Sequence, residues 1–378
     1  MTGSQPGRRA VLKAIGGLAM PFAAGCGVRT VPRRGAIDGA RPGCRIERVL
    51  VSPERIIRTV VGLRPFRPSG FHVGAEALGD KLLVHNYGHG GGGVTLSWGT
   101  ANLAVEKVIE SGRGGPAAVL GCGAVGLATA RLLQNRGFDV TIYARALPPD
   151  TTSNIAGASW YPTLVVDEAF RTAAFNAQFE RAARFSHRYF QGLVGEYYGV
   201  SWRRQYFLSR TPAQDPWEYT LLRDLFPDTR RLPPSEHPFV APHVLFDNMM
   251  FIEPPVYLNA LLRDFQLAGG RVRVQSFATP AEVVALREPI VLNCTGLGAR
   301  ELFGDRELTP VKGQLTVLLP QPKVDYALVS DEDLNMIPRR DGILLGGTFE
   351  RGVETSEPNR DAERRILAGH RAIFDAMR

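Results

Sequence analysis

Six consecutive residues, Gly121-Cys122-Gly123-Ala124-Val125-Gly126, constrain this chain more than any others. An apolar run, Ala117 to Leu120, precedes them and predicts a buried strand. Leu127 to Asn135 follows with helical spacing and is closed by Gly137, and Val140 to Tyr143 predicts a second strand. A GxGxxG turn between a strand and a helix is the cradle of a dinucleotide. Gly121 permits the tight turn, Gly123 lets the backbone approach a pyrophosphate, and Gly126 lets the helix pack close to the strand. The helix N-terminus offers free N–H groups to the phosphates. The second strand should end in an acid that binds the ribose. It ends instead in Tyr143-Ala144-Arg145, and an arginine here suits a ribose 2′-phosphate. The turn alone therefore leaves FAD and NADP open.

With 378 residues the chain can form two domains or two closely joined ones. Its net charge of +8 is carried almost wholly by scattered arginines, with acids between them. No stripe of basic and aromatic residues forms, which speaks against nucleic-acid binding and leaves room for an anionic substrate. Arg8-Arg9, followed by Leu12-Lys13 and an apolar stretch from Ala14 to Ala24, has the order of a twin-arginine export signal. The stretch is too short to span a membrane. Ala23-Ala24-Gly25-Cys26 is similar to a lipoprotein cleavage box, which makes Cys26 a candidate anchor. The expected location is exported, periplasmic or otherwise extracytoplasmic, reached through the twin-arginine machinery. Cys44, Cys122 and Cys294 make no disulfide framework and no metal cluster, and the latter two read as buried structural thiols.

Further along, Leu82 to Val84 predicts a short strand and Trp98 to Ile109 a helix. Phe170 to Tyr198 predicts one or more long helices, and Tyr257 to Leu267 another, ended by Gly269-Gly270. Strands are expected at Val272–Val274, Ile290–Asn293, Leu315–Leu319 and Ile343–Leu345.

Five further segments resemble the D-amino-acid oxidase family of FAD enzymes. Thr151-Thr152-Ser153-Asn154-Ile155-Ala156-Gly157-Ala158-Ser159-Trp160 is similar to the segment that wraps the flavin pyrophosphate and ring. Asn293-Cys294-Thr295-Gly296 resembles the strand end near the adenosine half. Arg64-Pro65-Phe66-Arg67-Pro68 resembles the segment with the substrate-carboxylate arginine. His85-Asn86-Tyr87-Gly88-His89-Gly90-Gly91 resembles the late glycine motif, with Thr95 where a flavin contact is expected. Gly346-Gly347-Thr348-Phe349 resembles the strand after the active-site lid. The resemblance implies an α/β fold, a Rossmann-like FAD-binding domain with a mixed-sheet substrate domain. It implies FAD as cofactor, a D-amino acid as substrate and oxygen as a candidate acceptor. For the site it implies Arg64 as the carboxylate grip, Gly91 as a carbonyl presented to the amine, and Gly90 and Gly93 as close neighbours of the flavin. Gly121 to Gly126, Ala144, Arg145, Thr151, Thr152, Ser153, Gly157, Ala158, Ser159, Thr295 and Thr95 would hold the cofactor. Arg67 reads as a structural ion-pair partner, and His85 and His89 as structural histidines.

The segment order departs from the family's. The arginine and late glycine segments, C-terminal in the family, here precede the glycine turn, so the resemblance implies a circular permutation. Thr100 to Glu110 would match the family's last helix, joined to the first strand through Ser111 to Pro116. The implied divisions are a signal at 1–26, a linker at 27–43 and a permuted segment at 44–110 shared by both domains. The FAD core follows at 116–165, then mainly substrate domain at 166–290, an FAD-binding stretch at 291–314, and substrate-domain strands, lid and terminal helix at 315–378. The lid stretch Asp331 to Pro338 looks shortened. Asn335 stands where a lid tyrosine is expected, and Gly92 replaces another tyrosine. Arg339-Arg340 beside it reads as a solvated turn. These departures keep alive a degenerate flavin-binding protein without activity, and Arg145 keeps alive an NADP-dependent reductase.

Overall fold

The computed structural model describes residues 46–378 except Ala158 and Ala213. The twin-arginine pair, Cys26, Cys44 and Ala158 therefore lie outside the described residues. The described chain builds two sheets. The smaller has six strands in the order His72–Leu78, Lys81–Tyr87, Ile290–Asn293, Ala117–Leu120, Val140–Ala144 and Arg271–Val274. All neighbours are parallel except the first pair, which is an antiparallel hairpin at one edge. All four residues of Ala117–Leu120 and of Ile290–Asn293 are buried, as strands covered on both faces require. Helices Ser97–Glu110 and Ala124–Asn135 pack on one another, and the first also packs on Lys81–Tyr87. Ala101, Ala104, Val105 and Val108 form the buried stripe of the first helix.

The larger sheet has nine strands and is mixed. Ile56–Phe66 pairs along its whole length with Thr309–Leu318. Then come Gly342–Gly346, Leu334–Arg339, Tyr326–Ser330, Val200–Ser209, His243–Ile252 and the short Arg230–Arg231, while Glu350–Arg351 pairs separately with Thr309–Leu318. One apolar cluster fills the space between this sheet, the smaller sheet and their helices. A second lies on the larger sheet's other face, under helix Arg360–Asp375. Residues 46–110 thus give one strand to the larger sheet and two to the smaller. Arg271–Val274, inside the stretch assigned mainly to the substrate half, is the outer strand of the smaller sheet.

Several elements differ from expectation. The helix after the glycine turn begins at Ala124 rather than Leu127, because Gly123 itself is the N-cap. The long helical stretch is one helix, Ala173–Gln191, whose N-cap Thr172 accepts the Phe175 N–H and whose end is at Gly192. The lid stretch is the largest departure. Asp331–Asp333 is a tight turn, and Leu334–Arg339 is a strand inside the larger sheet, paired on both sides. No described helix is long and apolar enough to cross a membrane.

Candidate active site

The carboxyl ends of Ala117–Leu120, Val140–Ala144, Ile290–Asn293 and Lys81–Tyr87 open on one cavity of about 1720 Å³. Ligands of open parallel sheets bind at this side. A pocket for a small molecule is about 300–1,000 Å³, so this one has room for a dinucleotide and a second ligand. At its phosphate end, Gly121 has φ +110°, and a methyl group there would lie 2.5 Å from the Cys294 carbonyl oxygen. Only glycine fits that turn. Its N–H donates to the Tyr143 carbonyl at 2.7 Å, which ties the turn to the next strand. Cys122, Gly123, Ala124 and Val125 line the cavity with Gly121. Gly126 does not line it. A methyl there would sit 2.1 Å from the Gly121 carbonyl oxygen, so Gly126 serves the close packing of helix on strand.

Ala144, Arg145, Thr151, Thr152, Ser153, Gly157, Ser159 and Thr295 all line the same cavity. The Ala124 N–H donates to the Ser153 hydroxyl at 3.0 Å, so the segment after the second strand caps the helix that the glycine turn starts. Thr295 donates its hydroxyl to Asn293 Oδ1 at 2.7 Å, and Thr151 donates to Asn154 Oδ1 at 2.7 Å. Burial pushes the Cys122 and Cys294 thiols up to about 12, as inert structural cysteines.

At the other end the cavity wall contains Arg64, Gly90, Gly91, Gly93, Thr95 and Asn335. Arg64 Nη1 is buried and has no hydrogen-bond partner among the described residues. Burial lowers the guanidinium's pKa from its ordinary value, yet it stays charged at neutral pH. A half-buried guanidinium in a cavity wall, with one nitrogen that no described residue partners, is a site for an anion. Gly91 donates its N–H to the Leu164 carbonyl at 3.1 Å. Thr95 is buried and gives its hydroxyl to the Gly92 carbonyl at 3.2 Å, which spends that donor within the protein. Asn335 sits at the start of its strand opposite Gly346, with Oδ1 where a Gly346 side chain would lie.

The histidines of the glycine segment are structural. His85 bonds Glu76 at 3.0 Å and Asn293 at 3.1 Å. His89 is buried, stacks on Phe71 and bonds the Thr100 hydroxyl at 2.9 Å. Burial drops its pKa to about 3, so it stays neutral. Arg67 pairs with Asp305 at 2.9 Å and Glu307 at 3.0 Å, as an ion-pair partner should. Arg339 is not on a solvated turn. It is buried, held in a fork by Asp341 at 2.8 and 2.7 Å, and bonded to the Ala156 carbonyl at 3.2 Å.

Sequence reasoning missed much of the wall, Tyr161, Thr163, Leu164 and Gly313 among it. Tyr161 lines the cavity, and Thr163 and Leu164 close it over Gly90 and Gly91, with Leu164 at φ +56°. Nothing in the sequence marks such a loop. Gly313 lies beneath the Arg64 guanidinium. A lone glycine inside a strand pattern is a sign of close approach and could have revealed it.

The residues fit a dinucleotide flavin: a glycine cradle that a Cβ would fill at one end, and an orphaned buried guanidinium nitrogen at the other. Comparison with known proteins agrees. The family model described as FAD dependent oxidoreductase matches residues 43–107 and 117–377. A D-amino-acid oxidase of Streptomyces coelicolor is 30% identical over 275 residues, 70% of this chain and 79% of the relative. One from Rubrobacter xylanophilus is 30% identical over 283 residues, 69% and 78% of the two chains. The crystal structure of glycine oxidase from Bacillus cereus shares the fold, with a TM-score of 0.52 at 14% identity over 70% of this chain and 79% of that one. The NADP reading raised by Arg145 is thereby set aside. Matched over most of its length by one family, this chain belongs to the FAD-dependent oxidoreductases, and FAD is the cofactor its cavity is built to hold.

Proposed function

We propose that this oxidoreductase oxidises D-amino acids to imino acids, which water converts to keto acids and ammonia. The observation that carries the reading is the buried, unpartnered Nη1 of Arg64 in the wall of the cofactor cavity. A planar fork held there suits a carboxylate better than any neutral group. The curated relatives named D-amino-acid oxidase support the choice of substrate class. When bound, FAD supplies the two-electron acceptor, and peroxide follows if oxygen is the terminal acceptor. The protein's own work is orientation. Arg64 holds the carboxylate, the Gly91 carbonyl receives the amine, and Asn335 offers a side-chain amide from the same sheet, three strands along. His85 and His89 are committed to internal bonds, so an amine that arrives neutral needs no side-chain base.

The test is direct. The purified protein should be yellow, and anaerobic D-amino acids should bleach its flavin absorbance, with peroxide appearing when oxygen is admitted. A yellow protein unmoved by a panel of D-amino acids would favour a flavin-binding protein without activity. The Asp331–Asp333 turn, in place of a lid, is the observation behind that second reading.

Two proposals concern the chain as a whole. The family segments are circularly permuted, which is supported by the order of the motifs and by the short Ser111–Pro116 join after helix Ser97–Glu110. Such rearrangement is tolerated where old termini are close and at the surface. A relinked chain that starts near Pro116 and carries residues 44–110 at its end should bind FAD equally well. The protein is also exported, supported by Arg8-Arg9 and the apolar stretch after it. Replacing both arginines by lysine should hold the protein inside the cell, and Cys26→Ser should release any lipid-anchored fraction.

A further inference from the structure

We infer that Gly313 is a positioning residue: it is the bare floor on which the Arg64 guanidinium lies, and it fixes how that fork is presented to substrate. The inference rests on the reading of Arg64 as the carboxylate grip. Strands Ile56–Phe66 and Thr309–Leu318 run antiparallel with Gly62 opposite Gly313 and Arg64 opposite Val311. Paired residues share a face, and so do residues two apart along a strand. Gly62, Arg64, Val311 and Gly313 therefore look the same way. The glycine pair leaves a bare patch in the ladder, and two side chains lie across it. A methyl on Gly62 would meet the Ile155 side chain at 3.3 Å. A methyl on Gly313 would stand 2.4 Å from Arg64 Nη1, 2.5 Å from Nη2 and 2.6 Å from Cζ.

All three atoms of that contact belong to the tip of a flexible side chain. A Cβ at position 313 would therefore push the guanidinium away and leave the strand in place. Gly313 has no positive φ, so alanine strains no backbone there. Glycine weakens a strand interior. Its presence within the strand, paired to Gly62, has this physical reason. The fork cannot sink further, because the strand backbone lies under it. It does not turn aside to a protein acceptor through Nη1, which remains unpartnered. The guanidinium, part of the cavity wall, is thus held in place for a ligand in the cavity.

The experiment uses the full FAD-loaded protein and four variants: Gly313→Ala, Arg64→Ala, Arg64→Met, and Gly313→Ala combined with Arg64→Met. Propionate, a carboxylate without the amine, serves as a probe by its perturbation of flavin absorbance. Gly313→Ala should keep its flavin and raise both KM for a D-amino acid and the Kd of propionate about tenfold to a hundredfold. Its kcat should change less than about threefold, since the chemical step is untouched. In the Arg64→Met background the same substitution should add nothing, because the displaced group is gone. If Arg64→Ala leaves KM and the propionate Kd unchanged, the carboxylate reading of Arg64 fails. If Arg64→Ala raises both but Gly313→Ala raises neither, the carboxylate reading stands and the positioning role of Gly313 is overturned. Should Gly313→Ala not fold, its recovery by Arg64→Met would support the contact, and failure in both backgrounds would refute it.

Discussion

Arginine pays a large desolvation cost when it is buried, and the rest of the described cavity wall does not repay it for Arg64 Nη1. The missing partner is best supplied by an anion that arrives with the substrate. Removing the side chain should then cost binding far more than folding. Arg64→Ala is expected to retain FAD and to raise KM about a hundredfold, as for a charged hydrogen-bonded pair, checked by steady-state kinetics on protein of verified flavin content. Gly121 works in the opposite way, through space and backbone. With φ +110° and a carbonyl oxygen 2.5 Å from where a methyl would be, Gly121→Ala must displace the Cys294 strand end or the turn itself. The expected result is loss of bound flavin, read as the ratio of visible to protein absorbance. Gly121 was legible from its motif, whereas the role of Gly313 was not, since it depends on a strand almost 250 residues earlier in the chain.

The helix of the glycine turn begins at a cap that has no side chain. Its Ala124 N–H is satisfied from elsewhere, by Ser153 in the short helix Thr152–Ile155. An exposed or cavity-facing helix start of this kind is worth about 0.5–2 kcal/mol. Ser153→Ala should lower stability by about 1 kcal/mol in denaturant titrations and weaken FAD retention, while Ser153→Thr should restore much of both. The threonine-rich segment was readable as a cofactor wrap. That it also caps the helix became visible only when the two ends met. The lid stretch shows the same limit. Its alternating residues Leu334, Met336 and Pro338 would suit a strand, but the resemblance drew them toward a loop, and pairing on both sides decided the matter.

Three buried histidines give the whole molecule an acid limit. Burial lowers the pKa of His89 to about 3, and of His187 and His370 to about 4. The unfolded chain binds protons at these sites near pH 6.5, well before the folded protein does. Stability is therefore full above about pH 6.5 and is lost as pH falls from there toward 4, by up to about 1.4 kcal/mol per pH unit for each histidine. Melting temperature should hold from pH 8 to 7 and drop with increasing slope below 6.5. His370→Gln should shallow that slope if it folds, because the site would no longer take up a proton on unfolding.

The sequence by itself determined the cofactor cradle and the strands beside it, and the family resemblance named Arg64 as the candidate carboxylate grip. The first two rest on local patterns, apolar runs of strand length and glycines at fixed offsets, and the third on a segment, Arg64-Pro65-Phe66-Arg67-Pro68, similar to one in the family. Tertiary structure alone decided what surrounds them. It placed Thr163 and Leu164 over Gly90 and Gly91, turned the lid stretch into a central strand, and buried Arg339 against Asp341. It also laid Arg64 across Gly313. Contacts between residues hundreds of positions apart follow from strand register and packing, and neither is written in a local pattern.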